Sequence, residues 1–220
     1  RQAAIAAEDS HFYTHYGVNL RGIFRALIVN VRVGEIRQGG STITQQLAKN
    51  AFLSHERTVS RKLRELLWAV QIERRYSKDE ILEAYLNEVF FGHGAYGVEA
   101  AAKLYFGKRC SDLTLSEAAF LAGVINGPSV FSPFVDRDAA VRRRNYVLDR
   151  MRQLGYITVE QAMAAAQSPL RTVPLQSHQT QASYFVDYVL QQIIELFGEQ
   201  RVYTGGLRVY TTLDLRWQQT

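Results

Sequence analysis

The densest set of groups able to move protons lies near the start of the chain, in Glu8-Asp9-Ser10-His11-Phe12-Tyr13-Thr14-His15-Tyr16-Gly17. Two adjacent acids beside two histidines four apart fit either a proton-transfer site or a metal site. The histidines share a helical face but lack the order H-E-x-x-H, which argues against catalytic zinc. Taken alone, the stretch also reads as a helix end capped by its own polar groups. A second carboxylate, Glu65, stands in Arg61-Lys62-Leu63-Arg64-Glu65, where the i,i+4 spacing of Arg61 and Glu65 predicts a surface ion pair. Two separated carboxylates in a helical chain fit glycosidic chemistry, in which one deprotonates a nucleophile and the other works at the leaving group. Lys49, Arg57 and Lys62 supply cations close by in sequence.

Helical periodicity dominates the elements that must hold these groups. Leu63, Leu66, Leu67 and Val70 share a face within 61–76, and Ile81, Leu82, Tyr85 and Leu86 share one within 79–87. Gly127-Pro128 closes a helix over 116–125, Gly155 caps one over 138–154, and Thr158 with Gln161 forms a capping-box signal for another that stops near Pro169. After Leu170 a polar stretch leads to a helix over 184–197, then Gly205-Gly206 and the β-branched and aromatic run 207–213, a strand in search of a partner sheet. The helix Asn19–Val33 is apolar except for Arg21, Arg25 and Arg32 on one side, a stripe that suits either a solvated face or a membrane interface that meets phosphate. The glycine-bearing stretch Gly34–Ser41 reads as a turn or as a loop over a site.

Composition is that of a folded domain, with 47% apolar and 21% charged residues among 220, which excludes disorder and collagen-like repeats. The excess of 26 Lys and Arg over 21 Asp and Glu favours an anionic partner. A single cysteine, Cys110, excludes an internal disulfide framework. No apolar run reaches the length of about 18 residues that a membrane-spanning helix requires. The opening at Arg1 inside a helical pattern is expected of a piece cut from a longer protein whose anchor or targeting segment lies upstream.

Together the motifs resemble the peptidoglycan glycosyltransferases of family 51. The match runs through Glu8-Asp9-x-x-Phe12-x-x-His15-x-Gly17, Gly40-Ser41-Thr42-Ile43-Thr44-Gln45-Gln46-Leu47-x-Lys49-Asn50, Arg61-Lys62-x-x-Glu65, Ile81-Leu82-Glu83-x-Tyr85-Leu86-Asn87 and Arg143-Arg144-Asn145-Tyr146-Val147-Leu148, in that order. Any one of these is weak; the ordered set is specific. The tail Gly205-Gly206-Leu207-x-Val209-Tyr210-Thr211-Thr212-Leu213-Asp214 resembles the junction by which class A penicillin-binding proteins enter their transpeptidase domain, while no Ser-x-x-Lys occurs in the chain.

The resemblance implies a mainly α-helical, lysozyme-like fold with a head and a membrane-facing jaw over residues 1–168, followed by a short α/β connector over 169–220 that leads to a fused transpeptidase domain. It implies polymerisation of lipid II into glycan strands on the outer face of the cytoplasmic membrane, and inhibition by moenomycin-type phosphoglycolipids. Glu8 is then the base that deprotonates the acceptor, and Glu65 acts at the donor diphosphate. Asp9, Phe12, Arg25, Ser41, Gln45, Gln46, Lys49, Arg57 and Lys62 are expected to bind the sugar and diphosphate groups. His15 and Gly17 are expected to serve structure, Glu83 and Asn87 to support Glu65, and Arg143–Leu148 to serve packing. A loosely held divalent cation, Mg or Mn, is implied: Glu65 organises the diphosphate either through it or through adjacent basic residues, and Asp9 either holds its own neighbourhood together or assists the metal. Membrane contact is assigned to Asn19–Val33. A lytic enzyme on the same scaffold is the nearest rival, and the cations argue against it; no nucleic-acid fingerprint accompanies the positive charge.

Overall fold

The computed structural model describes residues 1–19, 40–52, 58–175, 183–198, 202, 207 and 209–214. Arg25, Arg57 and nearly all of the Asn19–Val33 and Gly34–Ser41 stretches therefore lie outside the described residues. The chain divides into two compact units, Arg1–Val173 and Pro174–Thr220. Residues 169–173 belong to the first, since Leu170 is buried and the Val173 N–H donates to the Tyr105 carbonyl at 2.9 Å.

The first unit is built from helices α1 (Gln2–Glu8), α2 (Ile43–Phe52), α3 (Val59–Arg75), α4 (Lys78–Glu88), α5 (Val98–Phe106), α6 (Leu115–Val124), α7 (Arg137–Gln153) and α8 (Val159–Gln167). Among the described residues the only β pairing is an isolated bridge between Phe90 and Tyr96. The helix starts are chemically marked. Ser77 with Glu80, Thr114 with Glu117 and Thr158 with Gln161 form reciprocal capping boxes at α4, α6 and α8, and Asp136 caps α7 by accepting from the Ala139 N–H. Helix α7 ends at Gly155 with φ +73°, where the Gly155 N–H reaches the Arg152 carbonyl and the Tyr156 N–H reaches Met151. That is the Schellman arrangement, and glycine meets its left-handed requirement without strain.

Helix α6 is the buried centre, with Ala119, Phe120, Leu121, Ala122, Gly123 and Val124 all enclosed. Its small residues let α1 and α7 approach closely: a Cβ on Gly123 would stand 3.0 Å from Arg143 Cγ. Helix α1 joins two apolar clusters. Ile5 packs with Phe12, Ile43, Leu82 and Tyr85, whereas Ala3 and Ala6 pack with Ala119, Val147, Leu148 and Met151. Burial on both sides fixes the axis of α1 and therefore the position of Glu8 at its last residue.

The second unit contains α9 (Ser183–Phe197). Leu207 and Val209–Asp214 have no regular secondary structure, contrary to the strand expected there. A β-branched run becomes a strand only when another strand accepts its ladder, and none does so among the described residues.

Arg144 is the largest fully buried side chain and has no acidic partner among the described residues. Its guanidinium donates to the Ser116 hydroxyl at 3.0 Å and to the Ser168 and Ala166 carbonyls at 2.6 Å each. It thereby satisfies carbonyls at the C-terminal end of α8, where the helix dipole favours a cation. Arg144→Met should lower unfolding stability by about 2 to 4 kcal/mol, because buried carbonyls lose their donors. Denaturant titration measures this.

Candidate active site

The site begins where α1 runs out. The Asp9 carboxylate Oδ2 accepts from His15 Nε2 at 2.8 Å and from the Ile43 backbone N–H at 3.1 Å. Asp9 thus reaches across from another segment to the first turn of α2. That turn is closed from its own side as well: the Thr42 N–H donates to Gln45 Oε1 at 2.9 Å, and the Gln45 N–H to Thr42 Oγ1 at 3.1 Å. Thr42 Oγ1 in turn donates to the Gly17 carbonyl at 2.6 Å. With its N-terminus held in this way, α2 presents Gln46 and Lys49 to the end of α1.

Glu8 is half-buried. Its Oε2 accepts from Gln46 Nε2 at 2.9 Å, and Oε1 is enclosed without a hydrogen-bond partner. Tyr85 sets the orientation of the Gln46 amide by donating its hydroxyl to Gln46 Oε1 at 3.1 Å. Burial, followed by the nearby Glu8 and Asp9 charges, pushes the Tyr85 phenol well above its ordinary pKa, so it stays a donor. Burial likewise raises the Glu8 carboxyl; the Gln46 hydrogen bond and the charges of Arg143 and Lys49 oppose that, and Asp9 adds to it. A carboxylate with one fixed oxygen, one free oxygen and a raised pKa is suited to accept a proton from a hydroxyl.

Glu8 opens onto a cavity of about 490 Å³ lined also by Asp9, Ser41, Gln46, Lys49, Arg61, Lys62 and Glu65, and on the α7 side by Asn126, Arg143, Tyr146 and Arg150. Glu65 is almost wholly buried. Its partner is Lys62, three residues earlier, not Arg61 as the i,i+4 spacing predicted. Lys62 Nζ also donates to Ser41 Oγ at 2.9 Å, which joins α3 to the segment before α2. Arg61 faces the cavity with its Nε enclosed and unpartnered.

The expected residues divide clearly. Glu8, Asp9, Ser41, Gln46, Lys49, Lys62 and Glu65 come together around one cavity. Phe12 and Gln45 do not. Phe12 is sealed in the core beneath Lys78 Nζ, which stands 4.5 Å from its ring centroid, and Gln45 is buried in the cap of α2. Both therefore support the wall and are not placed to touch a bound substrate. Glu83 does not support Glu65 either: it pairs with Arg1 at 3.1 Å on the exposed side of α4. The Arg143–Leu148 segment, read as packing, has two roles. Arg144, Val147 and Leu148 are buried, whereas Arg143, Tyr146 and Arg150 line the cavity. The signal was present in the spacing, since positions i, i+3 and i+7 share a helical face opposite the apolar one.

Among the described residues no three His, Cys, Asp or Glu side chains are placed to hold a metal ion. Asp9 Oδ2 is occupied by His15 and Ile43, and Glu65 Oε1 by Lys62.

Comparison with known proteins places the chain in a family. The Transglycosylase family model matches residues 1–152. Penicillin-binding protein 1A of Aquifex aeolicus (strain VF5) is 49% identical over 99% of this chain and 30% of its own length; that of Escherichia coli (strain K12) is 47% identical over 99% and 26%. The solved structure of penicillin-binding protein 1A from Haemophilus influenzae aligns with a TM-score of 0.48 and 33% identity, over 73% of this chain and 20% of that one. The family assignment rests on the sequence matches: the chain belongs to the Transglycosylase family, the peptidoglycan glycosyltransferases to which its motifs pointed. It is a transglycosylase domain similar to those of penicillin-binding proteins 1A and spans between a quarter and a third of the length of these relatives.

Asp9→Ala should cost about 1 to 2 kcal/mol of stability by uncapping α2, as read by denaturant unfolding. Glu8→Gln should do the opposite. The folded-state pKa of Glu8 is raised, so its ionisation opposes folding as pH climbs past the ordinary carboxylate range, and removing the charge should leave the neutral-pH unfolding midpoint equal or higher.

Proposed function

We propose that this domain polymerises lipid II, with Glu8 as the general base. In this reading the Glu8 carboxylate takes the proton of the acceptor GlcNAc 4-hydroxyl. The freed oxygen attacks the anomeric carbon of the donor MurNAc. A glycosidic C–O bond forms on one face as the bond to the undecaprenyl diphosphate breaks on the other, which inverts the anomeric centre, and the diphosphate leaves with the bonding electrons. The observation that carries the proposal is a half-buried carboxylate, raised in pKa, lining a cavity that also holds Lys49, Lys62 and Arg61.

Diphosphate is already a good leaving group, so the donor side needs positive charge more than a second acid. Lys49 and Lys62 supply it, with Arg25 and Arg57 proposed to join them from outside the described residues. Glu65 orients Lys62 through their ion pair and does not face the phosphates bare. The nearest rival, a lytic enzyme, has no use for this concentration of cations around a neutral glycan linkage.

A lipid-linked substrate places the domain at a membrane, on the outer face of the cytoplasmic membrane in this proposal. Among the described residues no helix is long and apolar enough to cross one. A surface for contact exists: Val59, Leu63 and Leu67 are exposed along one face of α3, beside the stacked rings of Phe52 and Trp68. The additional length of the relatives leaves room for a fused transpeptidase.

Incubation with labelled lipid II in detergent should give a glycan ladder that moenomycin abolishes. Glu8→Gln should remove it with the fold intact; a variant keeping more than about a tenth of the wild-type rate would exclude Glu8 as the base. Lys49→Ala should weaken moenomycin binding by about tenfold or more, as expected on losing one charge-assisted phosphate contact. Shortening of preformed glycan strands in place of a ladder would favour the lytic reading. Replacing Leu63 and Leu67 by Ser should reduce sedimentation with anionic phospholipid vesicles.

A further inference from the structure

Arg143 is held more firmly than a packing residue requires. Its Nε donates to the Gly123 carbonyl at 3.2 Å, and its guanidinium carbon lies 5.4 Å from the Phe131 ring centroid and 5.0 Å from that of Tyr146. The absence of a side chain at Gly123 is what admits the Arg143 stem to α6. Held at three points, the guanidinium keeps two terminal nitrogens that make no hydrogen bond among the described residues, and no carboxylate pairs with it there. It lines the same cavity as Glu8. A cation fixed by two aromatic rings and a carbonyl, with its donors unused beside a carboxylate that has a free oxygen, is arranged for a ligand.

We propose that Arg143 is a substrate-positioning residue whose two free nitrogens grip an oxygen of the sugar that Glu8 deprotonates. Its charge also opposes the rise in proton affinity that burial gives Glu8. The inference rests on the base role proposed for Glu8. Neighbouring groups define its share. Asp9 follows Glu8 in the chain, α2 contributes Gln46 and Lys49, α4 contributes the Tyr85 hydroxyl through Gln46, and α3 places Arg61, Lys62 and Glu65 around the same cavity. From the α7 wall come Arg143 and Arg150, and Arg150 is already engaged with Gln153 at 2.7 Å. Lys62 is tied to Glu65 and Ser41. Arg143 and Lys49 are cations that oppose the rise in the Glu8 pKa.

The two parts of the role separate by substitution. Arg143→Gln removes both fork and charge; Arg143→Lys keeps the charge and loses the fork. With lipid II as substrate, Arg143→Gln should lower kcat/KM by about tenfold or more and move the acid limb of the pH profile upward, because Glu8 then takes up its proton at higher pH. Arg143→Lys should return the limb toward its wild-type position while KM stays elevated. Titration of the isotope-labelled Glu8 carboxyl by NMR follows the same limb without turnover, so an inactive wild-type chain would defeat the proposed function and still leave Arg143 decided. Unchanged kcat/KM and an unmoved Glu8 titration in Arg143→Gln would overturn the inference. So would a loss of activity that comes with a lower unfolding midpoint, no shift of the limb and no rescue by lysine.

Discussion

The active cavity depends on the contact between the end of α1 and the start of α2. Asp9 Oδ2 accepts simultaneously from His15 Nε2 and the Ile43 N–H, so a single carboxylate oxygen joins the turn after α1 to the dipole of the next helix. A buried carboxylate is costly unless such donors meet it. Meeting them here fixes where α2 begins, and the start of α2 fixes where Gln46 and Lys49 stand relative to Glu8. His15, expected to be structural, contributes through this bond.

From that junction a chain of donors leads to Glu8. Tyr85 holds the Gln46 amide, Gln46 holds one oxygen of Glu8, and the other oxygen is left free. Burial raises the affinity of Glu8 for a proton, and the surrounding cations limit the rise, a balance that an exposed carboxylate would not have. The remaining carboxylates near the cavity are committed to partners: Asp9 to the cap of α2, Glu65 to Lys62. The carboxylate without an ionic partner and the cations around it therefore come from different elements, Glu8 from α1 and the cations from α2, α3 and α7.

Packing enforces this division. Helix α6 is buried on every side and carries alanine and glycine where α1 and α7 lie against it. Close approach brings Arg143 into the cavity wall and, one residue later, sends Arg144 into the core to satisfy the carbonyls at the end of α8. Two adjacent arginines thus serve different purposes because neighbouring residues on a helix point about 100° apart.

Most helices were legible in the sequence because caps and apolar periodicity are local, but the apolar face read over 61–76 is not the packed one: α3 buries Glu65, Ala69 and Ile72 and leaves Leu63 and Leu67 exposed. Thr158 with Gln161 marked the start of α8 in the sequence, and the structure shows the same reciprocal box at Ser77 with Glu80 and at Thr114 with Glu117. The ordered motifs likewise gave the family and the residues that would gather around Glu8. Which of those residues face the cavity was not local information. Gln45 and Gln46 are adjacent in sequence, yet one closes a cap inside the protein and the other reaches Glu8; Phe12 fits the motif and lies in the core. Lys62 replaced Arg61 as the partner of Glu65, and Arg143 moved from packing to the cavity wall. The described residues of the run 207–213 have strand-like composition without a strand, since a ladder needs a second chain segment that no local pattern supplies. Sequence specifies which groups a segment carries and how its backbone curls; the packing of helices around α6 decides which side chain meets which, because that choice depends on distances between segments far apart in the chain.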